Sequence, residues 1–341
     1  RSERYQVPPP LTSSISSSTS SSSEIDVVLE IVTCGTFTHI LLHNLLLWYE
    51  NILLHTGPIV AAAVSNFTVE VFEWKNSALV RLGTLRGHGG RVNDIKFLNP
   101  KFIVTASSDG TIMGWDLGNG GKNVFKFEVY EEVCSVACSV LRGEPICVCG
   151  REDGVVQIWS LESKRMIAKF EDSHIEAVTR MQFHPTMKHV LLTSSEDGLV
   201  CVFDLLKKSE DDALIAVANT NSAVRRFGLL KSNLLWCLSS SETMSLFRID
   251  DDGCEELKSF DEIREFDSTS GRCTHSDYLV DCMYDDRIHS LLILAGDHTG
   301  HLKLLRLCDE GVVPVCTLPS RGHTSTVRCV ANLGTDMIIT G

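Results

Sequence analysis

Tight turns recur in this chain at a fixed interval. They fall at Ser65-Asn66, Asp109-Gly110, Asp153-Gly154, Asp197-Gly198, Ser241-Glu242 and Thr299-Gly300. From position 65 to position 241 each step is 44 residues, and the last step is 58. Self-similarity at such a period marks one supersecondary unit copied along the chain. The content of each unit is β: "RVNDIKF", "KFIVTAS" and "TIMGWDL" are short and rich in β-branched and aromatic residues. The Asp-Gly pairs supply the positive φ that a tight hairpin requires. Four short strands per unit, repeated around a ring, give an all-β chain folded as a β-propeller.

The units resemble WD repeats. The second carries Gly87-His88, an apolar strand, then "TASSDGTIMGWD" ending at Trp115-Asp116. The fourth carries His174, "VTRMQFHP", then "TSSEDGLVCVFD" ending at Phe203-Asp204. The third has "CGREDGVVQIWS" without a Gly-His pair, and the seventh opens at Gly322-His323. Residues 170–341 further resemble one branch of that family, on "RMQFHPTMKHVLLTSSEDGLVCVFDL", "EDDALIAVANT" and "GHTSTVRCV…MIITG". The resemblance implies a WD-repeat β-propeller of seven blades, the last one truncated in this chain. The blades are expected near 56–85, 86–128, 129–172, 173–220, 221–260, 278–319 and, in part, 320–341.

His88, Thr105, Asp109 and Trp115 invite two readings. In one, a hydroxyl is a nucleophile, His its base and Asp the orienter. In the other, the indole N–H, hydroxyl, imidazole and carboxylate form a buried hydrogen-bonded chain that fixes the blade. A catalytic set is needed once, yet this one recurs as His174, Thr193 and Asp197, and in part as Asp153 with Trp159 and as His323. Recurrence with graded decay favours the structural reading, which the resemblance also implies. Phe203 lacks an indole N–H, so the fourth network is expected to be shorter. Cys149 replaces the Thr in the third, where apolar burial is expected to substitute.

Outside the repeats, residues 1–23 ("PPP" followed by "SSISSSTSSSS") have too little apolar surface to order themselves and are expected to be disordered. Residues 24–55 are apolar without a clear period; strands of the first blade are one reading of them. The connection "DEIREFDSTSGRCTHSD" (261–277) is longer than the others and mixes charges. Its Asp261, Glu262, Arg264, Glu265, Arg272 and His275 are candidate partner contacts, because long connections between blades are where binding residues collect. "KKSEDD" (207–212) and "DDDGCEE" (250–256) could add an acidic sector attracting a basic protein.

Composition removes several function classes. The net charge is −13 with no long basic run, which argues against direct binding to nucleic acid. No apolar run reaches the length of a membrane span; "ILLHNLLLWYENILL" (40–54) is broken by His43, Asn44, Glu50 and Asn51. The 13 cysteines are scattered in apolar runs and lack zinc-site spacing, so a reducing intracellular setting, cytoplasmic or nuclear, is expected, without disulfides or bound metal. No nucleotide-cradling glycine motif occurs, and no cofactor is expected. The function that follows is a non-enzymatic scaffold holding other proteins. Three alternatives compete. A ubiquitin-ligase substrate receptor is disfavoured by the missing Arg after Trp115-Asp116, Trp159-Ser160 and Phe203-Asp204. A chromatin- or RNA-associated propeller is another. A propeller hydrolase would need acidic positions repeated on the innermost strands, which the spacing does not reveal.

Overall fold

The computed structural model describes residues 28–34, 37–43, 49–54, 59–75, 78–230, 233–250, 253–261, 263, 265–266, 274–285, 288–308, 311–318, 325–328, 330–334 and 337–340. The Ser-rich segment 1–23 lies outside the described residues.

Six four-stranded antiparallel sheets follow one another along the chain, each a blade. Blade 1 contains Tyr49–Leu54, Ile59–Val64, Thr68–Lys75 and Ala78–Leu85. Blade 2 contains Val92–Asn99, Phe102–Ser107, Thr111–Asp116 and Lys122–Glu128. Blade 3 contains Val133–Leu141, Glu144–Arg151, Val156–Ser160 and Arg165–Phe170. Blade 4 contains Val178–Phe183, Val190–Ser195, Leu199–Asp204 and Leu214–Asn219. Blade 5 contains Val224–Leu230, Leu234–Ser239, Met244–Asp250 and Gly253–Phe260. Blade 6 contains Tyr278–Asp285, Ser290–Gly296, Leu302–Cys308 and Gly311–Leu318.

The first blade begins at Tyr49 rather than near 56: its innermost strand comes from the apolar stretch 24–55, in accord with one reading of that stretch. The expected count of seven blades, the last truncated, is corrected to six. Val330–Gly334 and Met337–Thr340 instead join Phe37–His43 and Val28–Cys34 in a mixed sheet. Within it Met337–Thr340 runs parallel to the strand beside it, with Thr38 opposite Met337 and Ile40 opposite Ile339. A hairpin brought from residues 28–43 supplies the outer half of this sheet, and its direction is opposite to that of a continuing repeat.

The innermost strands of blades 1 to 6 pack side by side in chain order. Val330–Gly334 stands between blade 6 and blade 1, so the strands ring a central channel. Each blade presents an apolar face to the next. Val104, Ile112 and Phe127 of blade 2 pack on Val136, Cys147 and Cys149 of blade 3. Phe127 stacks on Trp159 with ring centroids 4.8 Å apart, and Phe170 meets Phe203 at 4.9 Å. Burial of these faces, rather than contacts inside any one sheet, supplies the driving force for the ring.

In this strand order the turn between second and third strands and the connection leading to the next blade share one end of the ring, here called the turn rim. The turn glycines hold positive φ: +74° at Gly110, +85° at Gly154, +88° at Gly198 and at Gly300. In blade 5 a non-glycine, Glu242, takes that conformation at +61°. Its carboxylate accepts from Arg225 at 2.6 Å and from the Leu279 amide of blade 6, which holds the strained turn against its neighbour.

Candidate functional site

In blade 2 the leading loop, the second strand and the turn converge. Trp115 Nε1–H donates to Thr105 Oγ1 at 2.9 Å. Thr105 Oγ1 lies 2.6 Å from His88 Nε2, and His88 Nδ1 lies 3.1 Å from Asp109 Oδ2. A neutral imidazole with its proton on Nδ1 satisfies every partner: it donates to the carboxylate and accepts the threonine proton. Asp109 also accepts from the Gly89 amide at 2.7 Å and from the Thr111 hydroxyl at 2.6 Å. Burial holds the His88 imidazole below its ordinary value of 6.5 despite the adjoining carboxylate. Burial pushes the Asp109 carboxyl up, but Thr111, the Gly89 amide and His88 outweigh it and leave it below the usual carboxylate range. Thr105 is 0% exposed, so its oxygen reaches no solvent.

Blade 4 repeats the arrangement without the indole. His174 Nδ1 lies 3.1 Å from Asp197 Oδ2 and Nε2 lies 2.8 Å from Thr193 Oγ1. Phe203 packs in the core where Trp115 sits in blade 2. Blade 3 departs from the pattern. Asp153 pairs with Arg151, and Trp159 Nε1–H donates to Gln157 Oε1 at 3.2 Å. The two residues are not brought together, because Cys149 offers no hydroxyl to relay between them; burial pushes its thiol up to about 12. His323 lies outside the described residues.

The 261–277 connection reaches the turn rim between blades 5 and 6. Glu262, Arg264 and Arg272 lie outside the described residues, and Asp261 is exposed. Glu265 pairs with His275 along the backbone in a two-stranded ladder, Glu265–Phe266 with Thr274–His275. Ile263, 2% exposed, pins the connection into the core between blades 5 and 6. The two acidic stretches fall elsewhere in the chain, where the third strand of a blade passes to its fourth. Glu210, from the first, is spent capping the backbone amides of Glu171, Asp172 and Ser173 at 2.6, 3.0 and 2.8 Å.

Two features of the turn rim escaped sequence reasoning. A cleft of 340 Å³ opens where blades 2, 3 and 4 begin, lined among others by Arg91, Glu132, Thr179, Glu196 and Arg328. Beside it, on two successive blade-to-blade loops, Tyr130 and Ile175 are 85% and 82% exposed. Glu131, Glu152 and Glu176 surround them, all exposed. Tyr130 also holds a φ of +70° that a bulky residue seldom adopts.

The channel wall repeats one local feature. Every innermost strand of blades 2 to 6 carries a β-bulge near its start. The residue after the bulge is Asp94, Ser135, Arg180, Arg226 and Asp281 in turn. A polar or charged position therefore recurs there, but it is acidic only at Asp94 and Asp281; the extra bulged residue breaks the alternation that would have displayed it. Asp94 accepts from Lys96 Nζ at 2.7 Å and from the Val136 amide of blade 3 at 3.0 Å. Burial lowers the pKa of Lys96, opposed by Asp94 and reinforced by Arg180 and Arg226 from blades 4 and 5.

A ring of antiparallel four-stranded blades, with Asp-Gly turns inside three of them and His–Thr–Asp chains bracing two, is the architecture of a WD-repeat β-propeller protein. The family described as "WD domain, G-beta repeat" matches at residues 79–116 and 165–204, each running from the last strand of one blade through the third strand of the braced blade that follows, so the chain carries WD repeats. It is similar to the WD repeat-containing protein 89 homolog of Dictyostelium discoideum, 28% identical over 285 residues covering 81% of this chain and 74% of that protein. It is also similar to the Arabidopsis thaliana WD repeat-containing protein GTS1, 29% identical over 65% of this chain and 58% of that protein. The human GATOR2 complex protein WDR59 is 27% identical over 40% of this chain and 14% of its own length.

Proposed function

We propose that the protein is a non-enzymatic scaffold that binds a protein partner on its turn rim, across blades 2, 3 and 4. The observation that carries this reading is the pair Tyr130 and Ile175, two large side chains almost fully in solvent on neighbouring loops beside a cleft. Aromatic and aliphatic anchors next to a concavity are where binding energy concentrates in interfaces. The surrounding Glu131, Glu152 and Glu176 favour a partner face that is apolar at its centre and basic at its edge. WDR59, by its name a component of a protein complex, accords with such a role. The His–Thr–Asp chains brace the blades, and the mixed sheet serves as the seventh sector of the ring. Cysteines such as Cys147, Cys149 and Cys237, buried among apolar neighbours, suit a reducing compartment, cytoplasmic or nuclear.

The test is affinity capture with the wild-type chain and with a Tyr130→Asn/Ile175→Asn variant, asparagine being chosen at 130 because it tolerates positive φ. Proteins held by the wild type should be lost by a variant that melts at the same temperature. An unchanged captured set would overturn the assignment of the rim. Nuclease treatment of the captured material separates a protein partner from association through RNA or DNA.

A further inference from the structure

Arg180 and Arg226 stand at the same register position on adjacent innermost strands. Arg180 lies opposite Ser194 just after the bulge of its strand, and Arg226 lies opposite Leu238 just after the bulge of its own. Both lie on strands that ring the channel and both are half-buried. Neither makes a hydrogen bond or an ion pair with any described residue. The nearby carboxylates are otherwise engaged. Asp94 is held by Lys96 and the Val136 amide, and Asp281 Oδ1 accepts from the Cys282 amide at 2.8 Å. Burial lowers the pKa of Arg180, Arg226 lowers it further, and Asp281 and Asp94 only partly offset them. Two guanidinium groups without partners among the described residues, in a partly desolvated channel, are costly to keep.

The cleft on the turn rim leads to this level. Val92, Asn93, Cys134 and Thr179 line it, and Asp94, Ser135 and Arg180 are the next residues inward along the same strands. We propose that this end of the channel is a binding site for a small phosphate-bearing anion, held between the guanidinium groups of Arg180 and Arg226. Two planar forks carried at one register position on neighbouring strands suit a tetrahedral dianion, whereas a single carboxylate would engage one fork and leave the other bare. Lys96 neutralises Asp94, so of the carboxylates the arginines face only Asp281 opposes the ligand. With Asp94 committed to its lysine and two amides, the arrangement is built for holding an anion rather than for acid–base turnover. The site uses other side chains than the Tyr130 and Ile175 surface, although both adjoin the same cleft.

Calorimetry and thermal melts of the full chain, with inorganic phosphate and pyrophosphate against sodium chloride at matched ionic strength, test the proposal. Saturable binding and a rise in melting temperature are expected for the wild type. Arg180→Gln and Arg226→Gln should each weaken binding by about tenfold or more, the loss of a charge-assisted contact. Both should melt at or above the wild type without ligand, because like-charge repulsion is relieved. Arg226→Lys, which keeps the charge and loses the fork, should bind with intermediate strength and covers the case of a glutamine variant that fails to fold. No binding beyond that of chloride, or equal binding by the glutamine variants, would overturn the site.

Discussion

Thr105 shows how one buried oxygen can tie three segments of a blade together. It accepts from Trp115 and donates towards His88, which in turn reaches Asp109 in the turn. Thr105→Val preserves shape but leaves both the indole N–H and His88 Nε2 unpaired, at a cost of about 1–3 kcal/mol. Trp115→Phe imitates what blade 4 already has and should cost less, because Thr105 keeps its imidazole partner. Chemical denaturation of the two single variants and the double variant measures the coupling between them; strict additivity would show that the chain is not continuous. The pH dependence follows from the two shifted groups. His88 titrates lower in the folded state than its ordinary 6.5, so on acidification the unfolded chain takes up the proton first. Its contribution is level above 6.5 and is lost as pH falls below it. Asp109 is also depressed, and its contribution persists above 3.8 and is lost below. Melting temperature should therefore decline between about pH 7 and about pH 5, and His88→Gln should lower the melt at neutral pH while flattening that decline. These networks were legible in the sequence because each Thr stands four residues ahead of its turn Asp, with a His 21 residues ahead in blade 2 and 23 in blade 4. Asp153 and Trp159 kept the offsets but lost the hydroxyl between them, and spacing alone could not show that a relay without its middle member does not form.

At the scale of the element, the turns and the bulges carry the repeat. A Cβ added to Gly154 would lie 2.6 Å from the His174 carbonyl oxygen, a backbone atom of the loop leading to blade 4, and φ there is +85°. Gly154→Ala should therefore destabilise the protein by more than about 1 kcal/mol, read from the denaturant midpoint at unchanged slope. A substitution at Gly143, φ +89° with nothing nearby, isolates the strain from the clash. The turns were plain in the sequence because glycine after aspartate marks them. The bulges were not. A bulge adds one residue without a signature of its own, so Asn93, Thr179 and Arg225 read as members of an ordinary polar alternation. A signal was nonetheless present: "VND", "VTR", "VRR" and "LVD" each place a charge third, just after the apolar residue that opens the core. Aligning the units on that apolar residue, instead of on the turn, brings the charged positions of the channel into view.

For the whole molecule, the decisive feature is closure. Each blade buries its faces only against neighbours, so a ring left open would expose the innermost strands of blades 1 and 6 on one side. The mixed sheet prevents this, and it rests on one parallel seam of four residue pairs, Thr38–Met337 to Leu41–Thr340. That seam was illegible in the sequence, because its two halves lie nearly three hundred residues apart and neither half repeats the turn signature. Ile40 sits inside it, paired with Ile31 on one side and Ile339 on the other. Proline at this position removes an amide from the ladder and clashes with the strand beside it. Ile40→Pro should accordingly raise hydrogen exchange in Tyr49–Leu54 and Tyr278–Asp285, the innermost strands that flank the seam, and leave Val133–Leu141 and Val178–Phe183 across the ring unchanged. If exchange rises uniformly around the ring, the blades unfold as one cooperative body and closure is not a separate weak point. If it does not rise at all, the hairpin from residues 28–43 contributes nothing to holding the ring shut.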